Sequence, residues 1–248
     1  MLPLQTRISY IIRKSRWLLK ITQQSRMLCQ IKKIYFQVQK QNTVKKVQKY
    51  GYEALEKIFQ ISQKGKLPLW IDWGTLLGYV REGRLILHDD DLDIGTYCME
   101  ADVHENFLTE MNEEGFRRVR EFRDGELLVA EAFEYKGILI DVDYYFRNGN
   151  CISWYMFEVS EKTKILQSKN QEKMTGMEIY RYDFSPVDIK KGAFKNGTKC
   201  NIPVEAEKRV VEMYGPGWNK PDKSCDWHTI DNYVYEGFRE NFAGWRFK

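Results

Sequence analysis

The sequence predicts an α/β protein of the α+β type: a small mixed sheet flanked by helices over about residues 51–150. A basic helical arm (1–50) precedes it, and a less regular C-terminal part (151–248) follows and completes the site. Three observations carry this prediction. Strand-length apolar stretches alternate with stretches of helical period between residues 50 and 145. Two of the strands carry spaced aspartates. The first 50 residues hold 12 of the chain's 39 Lys and Arg but none of its 35 Asp and Glu, so they form a surface distinct from the rest.

In the arm, Leu4, Ile8, Ile11, Ile12, Leu18 and Leu19, then Ile31, Ile34, Tyr35 and Val38, recur at roughly helical spacing with Lys and Arg between them. Such a helix packs on its own domain or lies on an anionic membrane surface. Without aromatic platforms or a known module, it argues against nucleic acid. Tyr50–Gln63 reads as an amphipathic helix with Leu55, Ile58, Phe59 and Ser62 on one face, and Leu67–Ile71 as a short strand. A turn at Gly74-Thr75 opens a short helix, Leu76–Arg81, whose first amides would face a bound anion. Residues 101–114 read as a helix, and Phe116–Arg123, Leu127–Tyr135 and Ile138–Tyr145 as successive strands turning at Asp124-Gly125 and Lys136-Gly137. The last hundred residues look irregular up to a helix running from Pro203 to Gly215, with Pro at its start and Gly past its end. A rigid turn to Pro221 and an aromatic tail, Tyr233–Lys248, end the chain.

Chemistry concentrates in Leu85-Ile-Leu-His-Asp-Asp-Asp-Leu-Asp-Ile-Gly95. Apolar neighbours make this a strand end rather than a solvated loop, and carboxylates crowded there repel one another unless a cation neutralises them. Alternation puts Asp89, Asp91 and Asp93 on one face and Asp90, Leu92 and Ile94 on the other. Asp91 and Asp93, roughly 6.6 Å apart along a strand, can converge on Mg²⁺ or Mn²⁺, the cations that suit hard carboxylate oxygens. A calcium loop would use Asp89, Asp91, Asp93 and Glu100, but its sixth position demands glycine and holds Ile94. An Asp-x-Asp glycosyltransferase stays an alternative, although nothing upstream resembles the nucleotide-binding half such enzymes need. A second strand, Ile138-Leu-Ile-Asp-Val-Asp-Tyr-Tyr145, offers Asp141 and Asp143 on one face, and either supplies a third carboxylate for phosphoryl transfer.

The 248 residues suffice for one sizeable core, with 15 Tyr, 13 Phe and 7 Trp to fill it. Five scattered cysteines without a Cys-x-x-Cys pair argue against a disulfide framework or zinc site and for a reducing cytoplasm. No apolar run reaches the roughly 20 residues of a membrane span. Arg13, Lys14, Arg16 and Lys20 interrupt any signal-peptide core. The expectation is a cytoplasmic protein, held at the inner face of the membrane if the arm binds lipid.

Gly74-Thr75, Asp91-Leu-Asp93 and Ile140-Asp141-Val142 together resemble the signature of the DNA polymerase β-like nucleotidyltransferase superfamily. More closely, Asp72-Trp-Gly-Thr-Leu-Leu-Gly-Tyr-Val-Arg81 followed by Asp89–Ile94 is similar to the LicD/fukutin-type phosphotransferases. Phe194-Lys-Asn-Gly197, Ile202-Pro203, Tyr214-Gly215, Trp218 and Pro221 resemble that family's second block. The likeness spans about residues 69–221. It implies a nucleotidyltransferase-like sheet and transfer of phosphocholine, ribitol phosphate or glycerol phosphate from a CDP-linked donor to a glycan or lipid-linked glycan hydroxyl. CMP would be released, in cell-surface polysaccharide modification such as capsule. Carried over by position, Asp91, Asp93 and Asp141 would hold Mg²⁺ or Mn²⁺, with Asp89 supporting them. Gly74, Thr75 and Arg81 would bind the donor phosphates.

Two positions depart from the pattern. Trp73 stands where the family has a second glycine, and His88 where it has an aromatic; His88 is a candidate to contact phosphate or a side chain that holds the metal. Asp143 competes with Asp141 by parity. Trp70, Trp73, Trp154 and Tyr155 either cage a choline headgroup or, in so aromatic a chain, pack in the core. The remaining alternatives are a nucleotidyltransferase releasing pyrophosphate and a non-catalytic membrane-surface adaptor.

Overall fold

The computed structural model describes residues 26–220 and 233–247, with side chains described from residue 37 onward. The chain divides into two compact units, Met1–Thr43 and Val44–Lys248. The first is helical from Arg26, where α1 (Arg26–Gly65) begins, and Val38 in it is exposed. The earlier apolar stripe, from Leu4 to Leu19, lies outside the described residues, as do the side chains of Ile31, Ile34 and Tyr35.

In the second unit, α1 from Val44 packs the face expected of it. Leu55, Ile58, Phe59 and Ser62 are all buried, and Ser62 Oγ donates to the Leu67 carbonyl at 2.8 Å, closing the exit turn. Then come β1 (Trp70–Ile71), α2 (Trp73–Glu82), β2 (Asp91–Tyr97) and α3 (Ala101–Glu113). The hairpin ladder β3 (Arg117–Asp124), β4 (Leu127–Tyr135) and β5 (Ile138–Asn148) follows. Its turns sit where the sequence puts them: Gly125 has φ 60°, and Lys136-Gly137 takes φ 49° and 79°, the paired left-handed conformation of a two-residue hairpin.

The C-terminal part differs from expectation. It is built of strands: β6 (Cys151–Glu158), β7 (Lys164–Gln167), β8 (Gln171–Phe184), β9 (Ile189–Ala193), β10 (Lys199–Pro203) and, after α4 (Ala206–Tyr214), β11 (Tyr233–Phe247). Pro203 closes β10 instead of opening the helix. Its carbonyl end and the Val204 amide, which donates to Asp188 at 2.7 Å, finish the β9–β10 hairpin.

These strands also change the sheet. It is mixed, since β2 runs parallel to β5 and every other pair is antiparallel. It is not a layer flanked by helices, however: β5-β4-β3-β11-β8-β6 close into a six-stranded ring through the β5–β6 pairing, with β1–β2 and β7 attached outside it. The closure is local to one long strand. β5 pairs with β2 over Leu139–Tyr145, then with β6 over Phe146–Asn148, turning at Gly149, φ 60°.

Apolar residues of α1, α2, α3, β2 and β5 form the main core. Trp70, Tyr145, Trp154, Tyr182 and Phe184 form a second cluster. Inside the unit, Glu131 is fully buried and ties four elements: it accepts from Tyr144 Oη at 2.7 Å, pairs with His104 Nε2 at 2.8 Å, and meets Arg118 Nε at 2.5 Å. His104, without a partner visible in the sequence, is thereby explained; His228 lies outside the described residues.

Candidate functional site

The acidic run enters its strand later than its sequence suggests. Leu85–His88 is a loop and turn whose Leu85 and Ile86 anchor in the core, while Leu87 and His88 are exposed. Asp89 and Asp90 precede the strand, and β2 begins at Asp91. From there alternation holds: Leu92 and Ile94 are buried in the main core, which leaves Asp91 and Asp93 on the other face.

Register brings the second pair to the first. Asp93 is the direct parallel partner of Asp141, and Gly95 that of Asp143, so all four carboxylates project from one face of β2 and β5. Gly95 carries no side chain because the Trp70 indole occupies the space: a Cβ there would lie 2.5 Å from the ring.

Asp89 joins this group from outside the strand. A Cβ on Gly74 would sit 3.1 Å from Asp89 Oδ2 and 3.1 Å from Asp93 Oδ2, so the bare Gly74 backbone forms the floor beneath both carboxylates. Thr75 pins Asp93 from two sides. Its Oγ1 accepts from the Asp93 amide at 2.8 Å, and its own amide donates to Asp93 Oδ2 at 3.3 Å. Thr75 is thus committed to orienting Asp93, and Gly74 presents the open backbone.

His88 stands exposed in the turn beside Asp89. Arg81 lies seven residues along α2 from Gly74, about 10 Å, and its guanidinium donates to Glu82 at 3.0 and 3.2 Å. The proposed aromatic cage is divided. Trp70, Trp73 and Trp154 belong to one cluster and Tyr155 to another, packed with Phe146 at 4.9 Å.

The electrostatics follow from burial and crowding. Burial, then Asp91, Asp141, Asp143 and Asp89, hold the Asp93 carboxyl well above its usual range. Burial pushes Asp141 up to about 7, with Arg120 opposing the rise and Asp91 adding to it. Burial also pushes Asp143 up to about 8, against the nearby indole N–H of Trp154 and, more weakly, that of Trp73. Both N–H groups are buried and lack a well-formed hydrogen bond, so they act on Asp143 as oriented dipoles. The donor set is all hard oxygen, half-buried, mutually repelling and set against the bare backbone of Gly74, and this composition suits Mg²⁺ or Mn²⁺. Among the described residues no three such side chains are drawn together in ligand geometry, so the fit is one of charge and chemistry.

Trp73 shows what the missing glycine costs. Its φ is 38°, a left-handed conformation that glycine adopts freely and tryptophan does not. Its indole offsets the strain by packing on Trp154 at 4.8 Å, Phe184 at 6.0 Å and Tyr214 at 6.4 Å.

Two contributors were not visible as site residues in the sequence. Asp72, fully buried ahead of α2, accepts from Tyr145 Oη at 2.7 Å and from Arg209 at 3.2 and 3.4 Å, and its amide donates to the Asp93 carbonyl at 3.1 Å. Arg209, on α4, is enclosed by the rings of Phe184 at 4.2 Å and Tyr145 at 4.8 Å. Its signal was available: an arginine in helical register with Val210 and Met213 on a buried face needs a buried acid.

Residues 66–198 match the family model described as LicD/FKTN/FKRP, nucleotidyltransferase domain. Ribitol-5-phosphate transferase FKTN of Homo sapiens is 23% identical over 189 residues, which is 75% of this chain and 37% of that protein. The uncharacterized protein RT0683 of Rickettsia typhi is 36% identical over 67 residues, 27% of this chain and 21% of that one. The chain thus spans little more than a third of the FKTN length. A crystal structure of ANT(2")-Ia in complex with adenylyl-2"-tobramycin is similar at TM-score 0.38 and 15% identity, over 73% of this chain and 84% of that one.

Proposed function

The chain belongs to the LicD/FKTN/FKRP family through its nucleotidyltransferase domain, and on that footing we propose that it transfers a substituted phosphate, of the ribitol phosphate, glycerol phosphate or phosphocholine type, from a CDP-linked donor to a glycan hydroxyl. The observation that supports this best is the single acidic face made by Asp91 and Asp93 on β2 and Asp141 and Asp143 on β5, with Asp89 over the bare backbone of Gly74. Four roles follow. Asp91, Asp93 and Asp141 are the candidate holders of Mg²⁺ or Mn²⁺, which when bound would neutralise phosphate charge in donor and leaving group. Gly74 lets the donor approach the backbone closely. Thr75 fixes the rotamer of Asp93. Asp143, on the same face of β5 as Asp141, is the candidate to accept the proton of the attacking hydroxyl.

The basic segment 1–50 suits an anionic membrane surface, where lipid-linked acceptors reside. No helix among the described residues is long and apolar enough to cross a membrane. Deleting residues 1–45 should weaken sedimentation with anionic vesicles in a salt-sensitive way.

The deciding experiment offers CDP-ribitol, CDP-glycerol and CDP-choline with Mn²⁺, with and without glycan acceptors, and reads CMP; CTP is offered in parallel and pyrophosphate read. Acceptor-stimulated CMP release supports the proposal. Pyrophosphate from CTP without CMP release would assign a nucleotidyltransferase instead. Full activity in Asp91→Asn or Asp93→Asn would remove the carboxylates from the chemistry.

A further inference from the structure

Arg81, the cation that the family resemblance assigns to the acidic face, is ion-paired with Glu82 at the far end of α2. A donor with two phosphates must approach five aspartates, and beside the cation proposed for this face a positively charged side chain would bind the remaining phosphate oxygens.

Sheet register points to a second candidate. Arg120 on β3 pairs with Ala132 on β4, Ala132 pairs with Asp141 on β5, and Asp141 pairs with Asp93 on β2. Paired residues on neighbouring strands project from the same face, so these four form one row across the sheet. Two strand spacings, about 9–10 Å, separate Arg120 from Asp141, and the residue between them is alanine, buried at 2% exposure. A long side chain at Ala132 would fill the space between them; a methyl takes up the least of it. Arg120 is indeed felt at Asp141, where it opposes the effect of burial.

Its neighbours on β3 are differently engaged. Arg117 pairs with Glu134 at 2.8 Å, Arg118 with Glu121 and Glu131, and Arg123 with Glu121. Among the described residues Arg120 has no such ion pair. It is half-buried rather than fully solvated, so its guanidinium is only partly compensated by water.

We propose that Arg120 is a phosphate-binding residue of this site, reaching over Ala132 to clamp a diphosphate oxygen on the acidic face. The assignment to a nucleoside diphosphate donor rests on the proposed function above; the binding of a diphosphate group does not. A planar guanidinium at that place would also hold the phosphorus in line with the acceptor by two parallel hydrogen bonds, which a lysine cannot supply.

The test is calorimetric binding of CDP, cytidine and inorganic pyrophosphate, each with Mg²⁺, to the full chain and to Arg120→Ala, Arg120→Gln and Arg120→Lys. Loss of a charge-assisted hydrogen bond of about 1.5–3 kcal/mol corresponds to roughly a 10- to 150-fold weaker Kd. That loss is expected for CDP and pyrophosphate in the alanine and glutamine variants, with a smaller one in the lysine variant and cytidine unaffected. Wild type that binds pyrophosphate through Arg120 but not CDP would keep the inference and refute the CDP donor. Equal diphosphate binding in folded Arg120→Ala or Arg120→Gln would overturn it, and so would wild type that binds neither diphosphate. Recovery of binding in Arg120→Ala/Asp141→Asn would overturn it too, reducing Arg120 to a counter-charge for Asp141.

Discussion

Replacing Arg209 by methionine tests the buried link between α4 and the acidic strand. Asp72 is completely enclosed and Arg209 is 3% exposed in its side chain, so neither charge has water to fall back on. Asp72 keeps the Tyr145 hydroxyl at 2.7 Å, which satisfies one lone pair of a carboxylate but none of its charge. Breaking such a pair from one side costs about 3–5 kcal/mol. For a folded unit of this size each kcal/mol moves Tm by about 2–4 °C, so the variant should melt roughly 6–20 °C lower. Most of that penalty is the stranded acid and not the lost attraction, so Asp72→Asn/Arg209→Met should recover the larger part of it. Thermal melts followed by circular dichroism measure both. A single mutant within 2 °C of wild type, or a double mutant no better than the single, would refute the reasoning.

Gly74→Ala should leave Tm equal or higher, since alanine is favoured over glycine in a helix by up to about 1 kcal/mol. Its methyl, 3.1 Å from two carboxylate oxygens, should nonetheless displace them and cut turnover about 10-fold or more; unchanged turnover would show that the floor is not used. Thr75→Ala should lose stability by about 1–3 kcal/mol because the Asp93 amide loses its acceptor, while Thr75→Ser should not, as read from urea midpoints. Trp73→Gly relieves about 1–3 kcal/mol of backbone strain but removes an indole worth about 3–5, so its urea midpoint should fall. In EDTA, stability should decline as pH rises from about 4 through 8. Asp141 and Asp143 are held at about 7 and 8 when folded, so the folded state retains protons that the unfolded chain has released. Asp143→Asn should flatten the decline, and a Tm that rises over that interval would contradict it.

The parts legible in the sequence were those set by local pattern. The buried face of α1 follows from 3.6-residue periodicity at Leu55, Ile58, Phe59 and Ser62, and β3 to β5 follow from alternation bounded by Asp-Gly and Lys-Gly turns. The shared face of Asp91 and Asp93 needed only strand parity. Their neighbour relation to Asp141 depends on a parallel register between segments some fifty residues apart, which no local pattern encodes. The strands after residue 150 carry a local signal too: Gly149-Asn150 makes the two-residue turn between β5 and β6, and Asn196-Gly197 lies in the turn between β9 and β10, with the glycines at φ 60° and 90°. Arg81, a phosphate ligand by resemblance, is ion-paired with the glutamate that follows it. No local pattern points to Arg120, whose place in the row exists only once three strands are aligned.

Closing the sheet into a ring has a bearing on how this protein behaves in concentrated solution. An open sheet offers unpaired amides and carbonyls along its outer strands, to which a second molecule can add. Here six strands satisfy one another, and the strands attached outside the ring include the four-residue β7, paired along one edge with β8. Self-association should therefore concentrate at β7, where Ile165 and Leu166 are 55% and 66% exposed. Lys162, Lys164 and Lys169 flank that segment and oppose stacking by charge repulsion. Neutralising them, by high salt or by substitution with serine, should promote precipitation by edge addition.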